Sequence, residues 1–436
     1  MYIKQLRLHN FKSFEDVEVE FNPKLTVLVG ANGNGKTSVI EGAVIALGTM
    51  FVKMDGLNGR GIDKAQARLK SFALGSFNDA QPQYPVTVQA TAMTGESCIS
   101  WSRSLNSSGG NTTILDAKRM LEFGTGIQAD LRNGNEQRIL PLIAYYGTGR
   151  LWDYRREKQS NASGSNNRIN GYIDCLDGKA NVKLLLNWFE KMTIRKYQNQ
   201  ELGLGGVPEL DVVCDAMESC YKRITGNDTV KIQYNMGTRE LEIAYREDSG
   251  EYIRLSINQL SDGYKSTISL VADIAYRMAV LNPQLLKDAC RKTDGIVLID
   301  EVDLHLHPAW QQRILGDLTA IFPKVQFIVS THAPVIINSV KKENLVILDG
   351  SEVFYPTGEV YGKDVNTIVS GIMGAAERPE QVKLMFKYFY KTLSAGEFEK
   401  AQRILDDLAA EIGNDDGEIA ACRVKLRLRM RPRVRG

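Results

Sequence analysis

The chain has 436 residues, 43% of them hydrophobic, and its 54 Lys and Arg against 52 Asp and Glu leave a formal net charge of +2. That is enough apolar material for a large core or for two or three linked lobes, and the near-neutral balance removes any global electrostatic argument for a nucleic-acid partner. Six scattered cysteines without a CxxC pair argue against a zinc ribbon or disulfide framework and fit a reducing cytoplasm, Lys4, Arg7 and Lys12 argue against a signal peptide, and no run of about 18 apolar residues marks a membrane span.

In chain order, Ile3, Leu6 and Leu8, then Val17, Val19 and Phe21, alternate with charged residues, which predicts two strands joined by a turn near Asn10 to Phe14. Leu25 to Val29 reads as a strand buried on both faces, and Thr37 to Leu47 as the helix after it. Val86 to Met93 and Cys98 to Ser104 suggest a hairpin, with Gly/Ser/Asn-rich loops at Gly56–Gly61 and Asn106–Asn111. Leu140 to Tyr146 is another apolar strand, and the polar stretch Gln159 to Asn170 is expected to be mobile. Helices are expected at Lys183–Arg195 and Leu210–Tyr221, and antiparallel strands at Val230–Tyr234 and Leu241–Tyr245. A helix follows from Ser261 to about Val280, then a strand at Ile296–Ile299, a helix at Trp310–Ile321 and strands at Val325–Val329 and Leu345–Leu348. Two helices near Pro379–Leu393 and Phe398–Ile412 precede a basic tail. No sustained heptads occur between the first helix and Gln259, which excludes a long coiled-coil arm.

Gly30 to Thr37 reads GANGNGKT, the spacing GxxxxGK[ST]. Its glycines let the backbone wrap so that N–H groups point at phosphate oxygens, and the following helix adds its positive N-terminus. Asn32, Gly33, Asn34 and Gly35 form the loop, Lys36 supplies a mobile charge for the β- and γ-phosphates, and the Thr37 hydroxyl is placed to ligate Mg²⁺. Ile296 to Glu301 reads IVLIDE, a buried strand with two carboxylates at the end where open α/β sheets hold ligands. Asp300 would then hold Mg²⁺, and Glu301 would orient or deprotonate the attacking water. His332, in STHAP one strand further on, could reach the γ-phosphate. His305 and His307 fit a packed turn shaping a subunit interface; a metal site with Asp300 and Asp303 is the other reading.

Gln259 to Ser266 reads QLSDGYKS. Ser261 is a suitable N-cap, Gly263 allows another backbone to approach, and a helix start of small residues is a second anion site. One nucleotide does not need two such cradles from one chain, so this one is expected to close on ATP held by a second copy.

These segments together resemble the RecF/SMC-like branch of the ABC ATPases, the compact bacterial AAA-type proteins. GANGNGKT corresponds to Walker A, LSDGYKS to the signature, IVLIDE to Walker B, VDLHLHP to the D-loop region and THAP to the H-loop; the opening IKQLRLHNFKSFEDVEVEF is also similar to this branch. The resemblance covers roughly Met1–Asp55 and Tyr252–Leu348. It implies a head-to-tail homodimer, or higher homo-oligomer, with two ATPs sandwiched between Walker A of one copy and the signature of the other. By the same resemblance Lys36, Thr37 and Ser38 bind phosphate and Mg²⁺, Asp300 serves Mg²⁺, Glu301 is the catalytic base and His332 the switch histidine, while Ser261 and Gly263 act in trans. Asp262 and Tyr264 stand where ABC transporters usually have Gly and Gln. Tyr145–Arg150 is the candidate for the lobe-coupling Q-loop segment.

More narrowly, YYGTGRLW, DEVDLHLHPAWQ and SAGEFEKAQRILDDLAAEIGNDD resemble defence-associated ATPases such as PtuA of Septu systems and its retron-linked relatives. That resemblance implies a separate effector, an HNH nuclease in Septu. The chain itself shows no nuclease constellation; Asp406, Asp407, Asp415 and Asp416 fit the solvated face of an amphipathic helix. From Arg423 to Arg435 every odd-numbered residue is Lys or Arg, which reads as a nucleic-acid arm, an edge strand docked on a partner, or a frayed terminus.

The expected fold is an α/β P-loop NTPase: an ABC-ATPase-like head with a mixed sheet over residues 1–150 and 252–350, an insertion of helices and short antiparallel strands over 151–251, and a small C-terminal helical extension with the basic tail over 351–436. The leading function is ATP-gated regulation of a partner effector in bacterial anti-phage defence. A DNA-repair ATPase whose output is DNA binding, a nucleotide-locked scaffold and a metallophosphoesterase using Asp300, His305 and His307 are the alternatives.

Overall fold

A computed structural model describes residues 1–74, 77–149, 167–178, 182–247, 250–374, 376 and 378–430. The chain divides into two compact units, 1–368 and 369–436. The segment Gln159–Asn170 and Arg150 of the expected lobe-coupling motif fall largely or wholly outside the described residues; Arg168–Tyr172 forms a short 3-10 turn.

The first unit opens with β1 (Tyr2–Phe11), β2 (Phe14–Glu20), β3 (Leu25–Val29) and α1 (Lys36–Gly48). Next come the hairpin β4 (Leu69–Leu74) and β5 (Phe77–Pro82), the hairpin β6 (Val86–Thr94) and β7 (Ser97–Leu105), then α2 (Lys118–Arg132) and β8 (Leu142–Tyr146). The middle of the chain supplies α3 (Val182–Glu201), α4 (Pro208–Thr225), β9 (Lys231–Asn235), β10 (Glu240–Arg246) and β11 (Tyr252–Ser256). Then follow α5 (Asp262–Leu281), α6 (Ala289–Lys292), β12 (Gly295–Ile299), α7 (Pro308–Gln311), α8 (Ile314–Ile321), β13 (Val325–Ser330), α9 (Pro334–Ile337), β14 (Leu345–Asp349) and β15 (Glu352–Phe354), with α10 (Val365–Gly371) crossing the boundary.

Two sheets position the site. One is antiparallel, in the order β2-β1-β6-β7; the other has six strands in the order β15-β14-β3-β13-β12-β8, all parallel except β15. Strands β3, β12 and β13 are buried along their whole length, as continuous Val/Ile/Leu runs require in a sheet covered on both faces. Helix α1 is buried almost all round and packs against β1 and β6 on one side and β12 and β13 on the other. A third sheet, β11-β10-β9, stands on α4. No helix among the described residues is long and apolar enough to cross a membrane.

The second unit is a three-helix bundle of α11 (Glu380–Ser394), α12 (Phe398–Ile412) and α13 (Gly417–Met430) around Phe386, Phe389, Leu405, Leu408, Ile419 and Leu426. Helix α13 corrects the edge-strand reading of the basic tail as far as residue 430; residues 431–436 lie outside the described set. The alternating Lys and Arg suggest period two, but the apolar Ile419, Cys422 and Leu426 recur at helical spacing and are all buried. The expected helix Trp310–Ile321 is also corrected. It breaks at Gln312–Arg313, because α7 turns Trp310 toward α5 while α8 buries Ile314, Leu315 and Leu318 in the core.

Candidate nucleotide site

Parallel register brings three motifs to one sheet edge. Ile299 pairs with Val329, Val329 with Val27 and Ser330 with Leu28, so the chain leaves β3 at Gly30, β12 at Asp300 and β13 at Thr331 along one edge. This is the carboxyl edge of the parallel strands, where such sheets hold ligands.

The loop after β3 is wound tightly. Gly33 and Gly35 have φ of 87° and 88°, which side-chain-bearing residues rarely adopt, and a Cβ on Gly35 would run into the Phe14 ring. Lys36 is buried and curls back over its own loop, donating from Nζ to Gly30 O at 2.8 Å and Ala31 O at 3.0 Å. Burial pushes the Lys36 ammonium down from its ordinary pKa, while Asp300, Glu301 and Asp303 pull it back up. Asn34 is spent inside the chain: Nδ2 donates to Leu348 O at 3.0 Å and lies 3.4 Å from Asp349 Oδ1. Asn32 and Thr37 are exposed, and Ser38 is buried.

The acidic end of β12 is held by a residue that the sequence reading passed over. Ser330 Oγ donates to Asp300 Oδ1 at 2.5 Å and accepts from Glu301 N at 2.8 Å. Asp300 N donates to Tyr146 O at 2.8 Å. Glu301 sits at φ 50°, a left-handed conformation uncommon for a side-chain-bearing residue and fixed here by the Ser330 bond. Thr331 Oγ1 donates to Asp303 Oδ1 at 2.6 Å. The S and T of STHAP thus position the carboxylates of the neighbouring strand. That role could have been read from the parallel pairing of the two strands, but not from either motif alone.

His332 is half-buried beside this group. Burial and the charge of Lys36 push its pKa below the ordinary histidine value, against Asp303, Glu301 and Asp300. His305, at φ 65°, is exposed, and His307 Nδ1 caps α7 by accepting from Ala309 N at 3.3 Å. No group of three or more His, Cys, Asp or Glu among the described residues is arranged to hold a metal ion.

The signature segment lies at the start of α5. Ser261 occupies the N-cap position but makes no side-chain capping bond, contrary to expectation. Ser261 and Asp262 are exposed, so water can satisfy the first N–H groups and the hydroxyl stays uncommitted. Gly263 is buried, and the backbone approaching it belongs to its own chain. A Cβ there would lie 2.8 Å from His305 O and 2.9 Å from the Trp310 ring. Tyr264 packs edge-on against Trp310, with centroids 4.3 Å apart, and against Tyr221 of α4 at 5.7 Å.

A buried polar chain joins α5 to the acidic strand end. Tyr146 Oη donates to Asp273 Oδ2 at 2.7 Å, and Arg277 Nε reaches the same oxygen at 2.7 Å. Arg277 Nη1 also donates to Gly171 O and Ile173 O. Burial alone would lower the Arg277 pKa, but Asp273 overrides it and raises it; burial, then Asp273, raise that of Tyr146. Tyr146 therefore touches α5 through its side chain and Asp300 through its carbonyl.

Two family models match, one described as AAA domain over residues 5–204 and a second AAA-domain model, whose description adds AbiEii toxin and Type IV TA system, over residues 183–338. The Retron Ec83 probable ATPase of Escherichia coli is 26% identical, the match covering 99% of this chain and 87% of that protein. Septu protein PtuA of Bacillus thuringiensis is 24% identical over 86% of this chain and 81% of that protein. Among solved structures, the SMC head domain from Thermotoga maritima matches at 15% identity and a TM-score of 0.42, over 82% of this chain and 100% of that chain.

Proposed function

The chain is a P-loop ATPase with AAA-domain sequence from residue 5 to 338 and homologues among the retron ATPases and Septu PtuA, and from that premise we propose that ATP closes two copies head to tail and that this closure regulates a separate effector in anti-phage defence. Each ATP would lie between the Gly30–Ser38 loop of one copy and the Ser261 helix start of the other. On binding, Lys36 exchanges the Gly30 and Ala31 carbonyls for phosphate oxygens. Those bonds mark where anionic oxygens would compete for it.

The buried Asp300 carboxylate and the exposed Thr37 hydroxyl are hard oxygen donors that suit Mg²⁺, which would neutralise developing phosphate charge when bound. Glu301, pinned by Ser330, takes the proton of the attacking water, and His332, half-buried beside these carboxylates, would hydrogen-bond the γ-phosphate. An effector such as an HNH nuclease would read the closed state; the chain's own motifs are those of nucleotide chemistry.

The single observation that carries the paired arrangement is Ser261. It is an exposed hydroxyl at the head of a long helix that neither caps that helix nor hydrogen-bonds to the phosphate loop. The test mixes two inactive variants, Lys36→Ala and Ser261→Arg. A paired site predicts that mixing restores part of the ATP turnover, since one of the two composite sites is then intact. It also predicts that Glu301→Gln runs as a dimer on light scattering only with ATP. No recovery, together with a monomeric Glu301→Gln–ATP species, would sink the reading.

A further inference from the structure

In the C-terminal unit, charge is segregated by helix. Along α11 no carboxylate follows Glu380, and along α13 none follows Glu418, whereas α12 carries Glu399, Asp406, Asp407 and Glu411. Lys383, Lys387 and Lys391 recur every four residues, so they form one exposed stripe on α11. On α13, Lys425, Arg427 and Arg429 are exposed. None of these six forms an ion pair with another described residue, whereas Arg378 bonds Asp416 and Glu418, and Lys400 bonds Glu397.

The two helices lie side by side. The Cys422 thiol donates to Tyr390 Oη at 3.4 Å, and Lys425 Nζ sits 4.8 Å above the Tyr390 ring. Tyr390 is three residues from Lys387 on α11, and Arg429 is four from Lys425 on α13, so Lys387, Lys425 and Arg429 border the seam at Tyr390, while Arg427, two residues from Lys425, lies on the other flank of α13. Apolar and aromatic side chains interleave with them. Leu384 and Tyr388 are each 56% exposed, Val424 56% and Leu428 61%. Tyr388 has the Lys400 ammonium 5.8 Å from its ring centroid and is otherwise open to solvent, and the core of the bundle is complete without these exposed cations and apolar groups.

We propose that this α11–α13 face binds single-stranded nucleic acid. Lys and Arg side chains are donors without acceptors, and a phosphodiester backbone presents acceptors without donors. An acidic polypeptide would bring backbone N–H groups that find no acceptor here. The interleaved Tyr388, Leu384 and Leu428 give unstacked bases a surface that a duplex, with its bases stacked inside, cannot use. In sequence the cationic run continues through Arg431, Arg433 and Arg435. This binding goes beyond the ATPase reading and does not require it.

The test uses the full chain and fluorescence anisotropy with a labelled mixed-sequence single-stranded oligonucleotide, its duplex, and poly-L-glutamate. Lys383→Gln/Lys387→Gln/Lys391→Gln is expected to weaken single-strand binding roughly tenfold or more and to cut the salt slope by about 2, from about 0.7 per lost phosphate contact. Its far-ultraviolet circular dichroism and melting temperature should match wild type. Tyr388→Ala should weaken the single strand and leave any weaker duplex binding alone. Lys36→Ala should leave oligonucleotide binding intact, which separates this inference from the nucleotide site. Unchanged affinity in the folded triple variant, duplex binding as tight as single-strand binding, or tighter binding of poly-L-glutamate would each overturn the proposal.

Discussion

The first unit contains two helix starts suited to anions, and they are built to opposite plans. At α1 the loop is tied down within the chain at three points: Lys36 to the Gly30 and Ala31 carbonyls, Asn34 to the end of β14, Gly35 to the Phe14 ring. At α5 the underside is fixed, with Gly263 and Tyr264 wedged on His305 and Trp310, and Asp262 pairs with Lys265 at 3.6 Å, but the exposed Ser261 hydroxyl makes no capping bond. The first cradle is organised for a ligand held by its own chain. The second is aimed but left open, as a surface that must meet a ligand from outside would be.

The sharpest separation of the two comes from Glu301→Gln. Removing the proton acceptor should lower ATP turnover by about 10²- to 10⁴-fold while leaving nucleotide binding to the first cradle intact. Phosphate release and nucleotide fluorescence titration check the two halves independently. A variant that hydrolyses at the wild-type rate would remove Glu301 from the chemistry.

Next in size is the link between the cradles. Asp273→Ala leaves the Arg277 guanidinium buried without its carboxylate and strips Tyr146 of its acceptor. Breaking a buried pair in this way costs about 3–5 kcal/mol, read as a shift in urea midpoint. The double change Asp273→Leu/Arg277→Met should recover part of that stability, because no lone charge remains although Tyr146 Oη still lacks its acceptor. If its turnover nevertheless stays depressed, the chain from α5 through Tyr146 to Asp300 positions the site as well as holding the fold.

How much of this was legible depended on the range of the signal. Strands β3, β12 and β13 and the loop at Gly30 are local patterns, and the structure places them at the residues that the sequence indicates. Other features depend on partners distant in sequence. Ser330 matters because β13 lies beside β12, and Gly263 because His305 and Trp310 fold beneath it. Helix α13 was obscured by its own cations: their alternation has the period of a strand, while three buried side chains with the period of a helix decide the outcome. Strands β11 and β15 are short edges whose pairing with β10 and β14 defines them more than their composition does.

A smaller effect tests the clamp inside the first cradle. Ser330→Ala removes one hydroxyl that serves both Asp300 and the Glu301 N–H. Leaving those buried groups unsatisfied costs about 1–3 kcal/mol, equivalent to roughly 5- to 150-fold if all of it fell on the transition state. The drop in kcat should exceed any rise in KM for ATP, since Lys36 and the loop glycines are untouched. A change in KM alone would mean that Ser330 serves binding rather than the carboxylates.

The smallest effect is a pH dependence, and its sign follows from His332. The folded chain resists protonating this imidazole, first because it is partly buried and then because Lys36 is near, so its folded pKa lies below the ordinary histidine value of 6.5. The unfolded chain binds more protons within that window, so stability rises with pH from the depressed folded value up to about 6.5 and is level above it. His332→Gln should flatten that rise, measured as melting temperature against pH. Bound ATP should move the window upward, because phosphate charge offsets Lys36 and favours the imidazolium. A window that ATP leaves in place would put His332 out of reach of the γ-phosphate and leave the first cradle to work without it.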